Sequence, residues 1–225
     1  MSMQNRNPLK DYKHLLLLVY YPVYLLWFYY VEQVNLKPVH MIHTKMDDQI
    51  PFCEYFIIPY MLWFGYVAWG VLHMAFHSKQ DFYKLSIFLY TGMTIFLLVS
   101  TFYPNGHNLR PHYLENQNLF TDLCLWLYET DTPTNLFPSI HVYNSLGIHF
   151  AIIHNEELKQ NKPVRILSFV LMTSIILSTM FLKQHSVFDV GTAFLLAFFM
   201  HQLVYRRHGL RSSVTQKARN KVFLP

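Results

Sequence analysis

The chain has 225 residues, enough for one domain, with 52% apolar, 17% aromatic and only 14% charged positions, a balance that excludes an ordinary water-soluble domain and points to a bilayer as solvent. Its mean hydropathy of +0.17 is modest because 16 Tyr and 13 His, suited to the lipid–water boundary and to polar cavities, dilute the aliphatic runs. The net charge of +5 lies in short basic clusters between apolar runs, without interleaved stacking aromatics, so no nucleic-acid partner is expected.

In chain order, six apolar runs bounded by charges approach the length of a bilayer helix: His14–Val31, Tyr55–Phe76, Leu85–Phe102, Ser139–His154, Ile166–Leu182 and His185–Tyr205. The first follows Lys10 and Lys13 as a signal peptide's core would, but it ends Phe-Tyr-Tyr-Val-Glu with no small-residue cleavage site and is expected to stay in the protein. With the N-terminus inside, 14 of the 18 Lys and Arg fall in cytoplasmic segments, and only Lys37, Lys45, Arg110 and Lys183 fall outside. Both termini are therefore expected in the cytoplasm. Two sizeable external loops result, Glu32–Glu54 and Tyr103–Pro138, with a very short one around Lys183. In the second loop Leu119, Phe120, Leu123, Trp126 and Leu127 form one helical stripe beside polar Asn118, Thr121, Asp122 and Glu129. That pattern predicts an amphipathic helix, lying in the membrane interface or packed on the bundle. The expected fold is an all-α polytopic membrane helix bundle with six transmembrane helices and this interfacial helix, residues 1–225 forming a single membrane domain.

Polar residues inside apolar runs are the candidates for function. Asp189 is the only acidic residue in the six runs, and His185 lies four positions earlier, on the same helical face. A carboxylate at one imidazole nitrogen fixes the tautomer and makes the other nitrogen a better nucleophile or base. The fourth run opens Pro138-Ser139-Ile140-His141, a helix start that points free backbone N–H groups at an anion. Ser145 and His149 continue the stripe below His141, and His149 is read as a hydrogen-bonded interhelical residue. Arg110 and Lys183 lie where the chain meets the membrane, so two cations, two histidines, a helix start and one carboxylate suggest a phosphate site. Cys53 and Cys124 have no metal spacing and are read as idle thiols. With no Gly-rich phosphate loop and no carboxylate cluster, no metal or other cofactor is expected; His185 and Asp189 are the only pair near zinc-ligand spacing.

These residues resemble the motifs of the type-2 phosphatidic acid phosphatase and vanadium haloperoxidase superfamily over roughly Tyr103–Asp189. Pro138-Ser139-Ile140-His141 is similar to its second motif, Pro-Ser-x-His. Ser178-Thr179, His185 and Asp189 keep the spacing of its third, and Arg110-Pro111 remains of its first. Tyr103 stands where the first motif has lysine and Thr179 where the third has arginine, so two family phosphate-binding cations are missing, and Lys183 would supply one from a new place. Lys-Gln-His before the motif aspartate and Asp47-Asp48-Gln49-Ile50-Pro51-Phe52 resemble the inositol phosphorylceramide synthase-like branch and related bacterial proteins, which implies a bacterial cell membrane. The resemblance implies that His185 attacks phosphorus, Asp189 orients it, and His141 acts as general acid and then base. Arg110, Lys183 and the amides near Ser139 would hold the phosphoryl oxygens, with Tyr103, Ser178 and Thr179 as further candidates. The implied partners are membrane lipids and a lipid phosphate substrate. Three functions compete: a lipid phosphatase using water, a head-group phosphotransferase using another hydroxyl compound, and a non-catalytic membrane protein with a decayed site.

Overall fold

The computed structural model describes residues 12–34, 40–114 and 116–206. Arg6, Lys10, Lys37 and the Lys and Arg beyond Arg206, all within the count of 18 that gave the orientation, lie outside them. A 3-10 segment Lys13–Val19 runs into helix α1 (Tyr20–Val34), followed by α2 (Ile57–His77), α3 (Lys79–Phe102), α4 (Leu119–Thr130), α5 (Ile140–His154), α6 (Lys162–Phe181) and α7 (Val187–His201), which ends in a π turn, Gln202–Arg206. Strands β1 (His40–Met41) and β2 (Asn105–Gly106) form a short parallel pair.

Among the described residues, five helical stretches are long and apolar enough to cross a membrane: Lys13–Val34, Glu54–His77, Lys79–Phe102, Lys162–Phe181 and Val187–Arg206. Two of them start earlier than hydropathy alone suggests, because polar caps nucleate them outside the apolar run. Ser78, the single residue between α2 and α3, accepts the Asp81 N–H and starts α3 at Lys79 rather than Leu85. Asn161 accepts the Val164 N–H, with Pro163 in the first turn, and starts α6 at Lys162 rather than Ile166.

The fourth expected span is a helix of only 15 residues, α5, and its surroundings explain why. It packs against α2, α3, α6 and α7, and ten of its residues are buried. A helix walled by protein can carry Asn144 and Ser145 in its interior without meeting lipid. Three glycines permit the close fit, one of them Gly70 of α2, where a Cβ would lie 2.6 Å from Ile148. A Cβ on Gly92 would lie 2.0 Å from the Tyr143 ring, and one on Gly147 would lie 2.8 Å from Phe88. The Tyr143 hydroxyl donates to the Phe88 carbonyl at 2.8 Å, tying α5 to α3.

Helix α4 is present, and its apolar residues divide between the bundle and the surface. It buries Thr121, Cys124 and Leu127 against Ile57, Tyr60 and Leu182, and leaves Leu119, Leu123 and Trp126 exposed. The apolar stripe splits because the small Thr121 and Cys124 allow closer packing than leucines would. Both loops predicted external gather at one end of the bundle. There β1 meets β2, and Glu32 at the end of α1 accepts hydrogen bonds from Asn135, at 2.6 Å, and Thr132. At the opposite end His14 bonds the Ala75 carbonyl at 2.7 Å and Asp81 takes Lys84 and Asn155.

Candidate active site at the loop end of the bundle

The turn between α6 and α7 carries His185. Its backbone folds onto the end of α6, where the Thr179 carbonyl accepts from the N–H groups of Gln184 and His185 at 2.9 and 3.0 Å. Lys183 adopts φ +54°, an uncommon conformation for a side-chain-bearing residue. From the second loop, the Tyr128 hydroxyl donates to the Leu182 carbonyl at 2.7 Å, and His107 Nε2 bonds the Gln184 carbonyl at 2.9 Å. Because His107 Nδ1 accepts the Leu109 N–H, Nε2 must carry the ring proton. Burial holds His107 down at about 4, so this neutral form persists through the physiological range.

Helix α7 begins with a capping box: Ser186 Oγ accepts the Phe188 N–H and Asp189 Oδ2 accepts the Ser186 N–H at 2.9 Å. The same Oδ2 lies 3.5 Å from His185 Nδ1, within ion-pair range though short of a hydrogen bond. Asp189 is fully buried. The two residues come together as expected, but not on one helical face: His185 lies in the turn before the Ser186 cap, and Asp189 reaches back to it across the helix start. On the other side of the ring, His185 Nε2 is 3.4 Å from His141 Nδ1. His141 sits in the first turn of α5, where Ser139 Oγ caps the Val142 N–H at 3.4 Å and Asn105 Oδ1 accepts from the N–H groups of Leu136 and Phe137. Its ring rests on Tyr60 and Trp63, at centroid distances of 4.7 and 4.4 Å.

Both histidines line a largely apolar cavity of about 320 Å³ between α1, α2, α4 and the start of α5, with Phe28, Trp63, Phe64 and Trp126 among its walls. The cavity has one carboxylate, Asp131, which accepts from the Tyr60 hydroxyl at 3.3 Å. Burial raises Asp131 above the usual carboxylate range, against the opposing pull of Arg110 and His185.

The remaining candidates divide into those near this centre and those turned away from it. Arg110 stacks on the Tyr128 ring at 4.6 Å, donates to the Tyr128 carbonyl, and donates to Gln184 Oε1 at 2.5 Å. The arginine fixes which end of the Gln184 amide is oxygen, so its Nε2 faces away. That Nε2 and Arg110 Nε are buried donors without a partner, as Asp189 Oδ1 is a buried acceptor without one. Four polar groups left short in one place are unusual in a folded interior, and His185 Nδ1 is the fourth. Ser139 is fully buried with its hydroxyl spent on the cap. Ser178 and Thr179 turn their hydroxyls to carbonyls of their own helix, Ile175 and Ile176. Tyr103 stacks on His40 at 3.7 Å, away from the histidines. Lys183 is not brought to them either: its Nζ donates to the Asp47 carbonyl at 2.7 Å and to that of Ile50, and it lines a separate polar cavity with His43, Asp47 and Asn108. The short turn does keep Lys183 beside His185 in the chain, but positive φ swings its side chain to the outer side. Burial lowers Lys183 somewhat, partly offset by Asp47 and Asp48.

Sequence reasoning missed Asp131, Gln184 and His107, and gave Asp47 only a place in a motif. Gln184 stands within the Lys-Gln-His resemblance without a role, and His107 lies three residues before Arg110, a nearness that was the available signal. Asp131 is in a polar loop and carries no periodic mark. His149 bonds Ser168 Oγ at 2.9 Å across α5 and α6, the interhelical role expected of it. Among the described residues no group of three or more His, Cys, Asp or Glu side chains converges to hold a metal ion. Compared with known proteins, the chain matches no family model, no curated sequence and no solved structure.

Proposed function

We propose that the protein is a multi-pass membrane enzyme of the type-2 phosphatidic acid phosphatase superfamily that cleaves a lipid phosphate ester through a phosphohistidine. The observation that carries this reading is His185 set between Asp189 and His141 at the wall of a largely apolar cavity. In the proposed cycle the His185 Nε2 lone pair attacks phosphorus as the bond to the leaving oxygen breaks. His141 gives that oxygen its proton, and Asp189 stabilises the charged imidazole. Water then attacks phosphorus, the P–N bond breaks, and His141 takes the water's proton. A phosphoryl group does not fit between nitrogens 3.4 Å apart, since reacting atoms need about 3 Å on each side, so His141 must turn aside as substrate enters. The unpaired donors of Arg110 and Gln184 are the groups suited to the phosphoryl oxygens. The cavity walls suit an acyl or prenyl chain. Asp131 in the same cavity favours a second reading, in which a hydroxyl compound bonded to that carboxylate replaces water as acceptor.

In the proposed arrangement α5 completes six crossings, both termini lie in the cytoplasm, the site end faces outside and α4 lies in the interface. The test uses purified protein in detergent with EDTA and a panel of ³²P-labelled lipid phosphates, quenched in alkali. The expected result is a base-stable, acid-labile phosphoenzyme that is absent in His185→Ala, with free phosphate and new phospholipid measured separately. Turnover without such an adduct, or only with added metal, sinks the mechanism. In a variant lacking Cys53 and Cys124, cysteines placed at positions 79 and 116 should label from opposite sides of intact cells; labelling from one side overturns the orientation.

A further inference from the structure

The first loop grips the His185 turn from outside, and this inference rests on the phosphohistidine reading above. Asp47 is 2% exposed and its carboxylate accepts four hydrogen bonds, three at Oδ2 and one at Oδ1. Two stay in its own loop, from Thr44 N and Oγ1 to Oδ2 at 2.7 and 2.9 Å. Two reach the start of α7, where Ser186 Oγ donates to Oδ2 and the Val187 N–H to Oδ1, both at 2.7 Å. Lys183 closes the clasp from the other side of the turn, through its Nζ contacts with the Asp47 and Ile50 carbonyls. Gln184 and His185 are therefore bracketed by residues tied to one loop. These ties also oppose the cost of holding Lys183 at φ +54°, where a Cβ crowds the backbone.

We infer that Asp47 is a positioning residue for the His185–Asp189 pair. Because Ser186 Oγ spends its proton on Asp47, its lone pair is directed at the Phe188 N–H, and the Ser186 backbone N–H is left to Asp189 Oδ2. That oxygen is the one facing His185 Nδ1. Without the Asp47 carboxylate the Ser186 hydroxyl is free to rotate, the Val187 N–H loses its acceptor, and the Asp189 carboxylate shifts toward the exposed helix start. The imidazole then loses the group that fixes its tautomer and aim. Misplacement by about 1 Å costs on the order of 100-fold in rate.

The experiment measures phosphoenzyme formation in full-length protein by rapid mixing and alkaline quench, recording both burst amplitude and rate constant. For Asp47→Asn the rate constant is expected to fall roughly 10- to 100-fold with amplitude and KM near wild type. Lys183→Met is expected to lower the same constant by less, and the double variant to fall short of the product of the two. A lowered amplitude with an unchanged rate constant means a merely structural role and overturns the inference; so does a wild-type result in both measures. Should Asp47→Asn not fold, Lys183→Met decides by the same two readouts. A wild-type burst that survives His185→Ala, or no burst at all, overturns the proposed function and this inference with it. A His185-dependent burst indifferent to both substitutions overturns the inference alone.

Discussion

Helix α5 meets histidines twice, once from the turn that leads into α7 and once from the far end of α7. At the loop end His141 and His185 meet with ring centroids 5.6 Å apart; at the other end His154 and His201 meet at 5.1 Å. The second pair is the closer by rings, yet its chemistry is spent. His154 Nδ1 donates to the Phe150 carbonyl of its own helix, its ring stacks on Tyr205 at 4.6 Å, and His201 packs on Phe150. Neither ring faces a carboxylate among the described residues, and both sit in last helical turns, where a cation complements the helix dipole. What separates the pairs is the buried Asp189, the cavity and the unpaired donors at the loop end. Two imidazoles in contact are common packing. Two imidazoles with a carboxylate behind one and a cavity before both are a candidate site.

The largest expected effect breaks that comparison directly. His185→Ala should lower turnover by about 10³-fold or more, since a covalent step leaves no substitute route beyond residual electrostatics, whereas His201→Ala should stay within a few-fold. Turnover of the two variants on one lipid phosphate, each checked for a monodisperse peak in detergent, measures the difference. Equal losses would mean that the loop-end pair is packing like the other.

The second effect tests whether the unpaired donors matter. Arg110→Gln should reduce kcat by about 10²-fold, the usual cost of one donor aimed at developing charge, and Arg110→Lys should restore only part, because a lysine keeps the charge without the planar fork. kcat and KM, measured separately in the two variants, carry the answer. A loss confined to KM would place Arg110 in ground-state binding alone.

The comparison also shows why some of this site was legible in the chain and some was not. Period and spacing are local, so the helical runs and the closeness of His185 to Asp189 could be read directly. The meeting of His141 with His185, 44 residues apart, could be read only through resemblance to a motif set. The limits of α3 and α6 were missed because Ser78 and Asn161 set them by hydrogen bonds that hydropathy does not register. The role of Lys183 was misplaced for a backbone reason. Nothing in Leu-Lys-Gln-His signals a positive φ, and that angle decides which side of the turn the ammonium faces. Asp131 and Asp47 act through folded loops, and their partners are known only once the loops close.

The smallest effect on turnover concerns His107, which touches the site only through the Gln184 carbonyl. A histidine at about 4 in the folded protein and near 6.5 when unfolded binds fewer protons folded than unfolded between those values. Stability from this group is thus complete above about 6.5 and is lost as pH falls toward 4, by on the order of 3 kcal/mol. His107→Gln keeps a donor for the Gln184 carbonyl but cannot titrate, so its turnover at neutral pH should stay within a few-fold of wild type while its thermal midpoint falls less steeply between pH 6.5 and 4. Comparing the two midpoint curves cancels the carboxylates that titrate in both proteins. Parallel curves would mean that His107 is charged in the fold, and its Nδ1 would then be a donor that cannot accept from Leu109. The turn that aims His185 would need a different support.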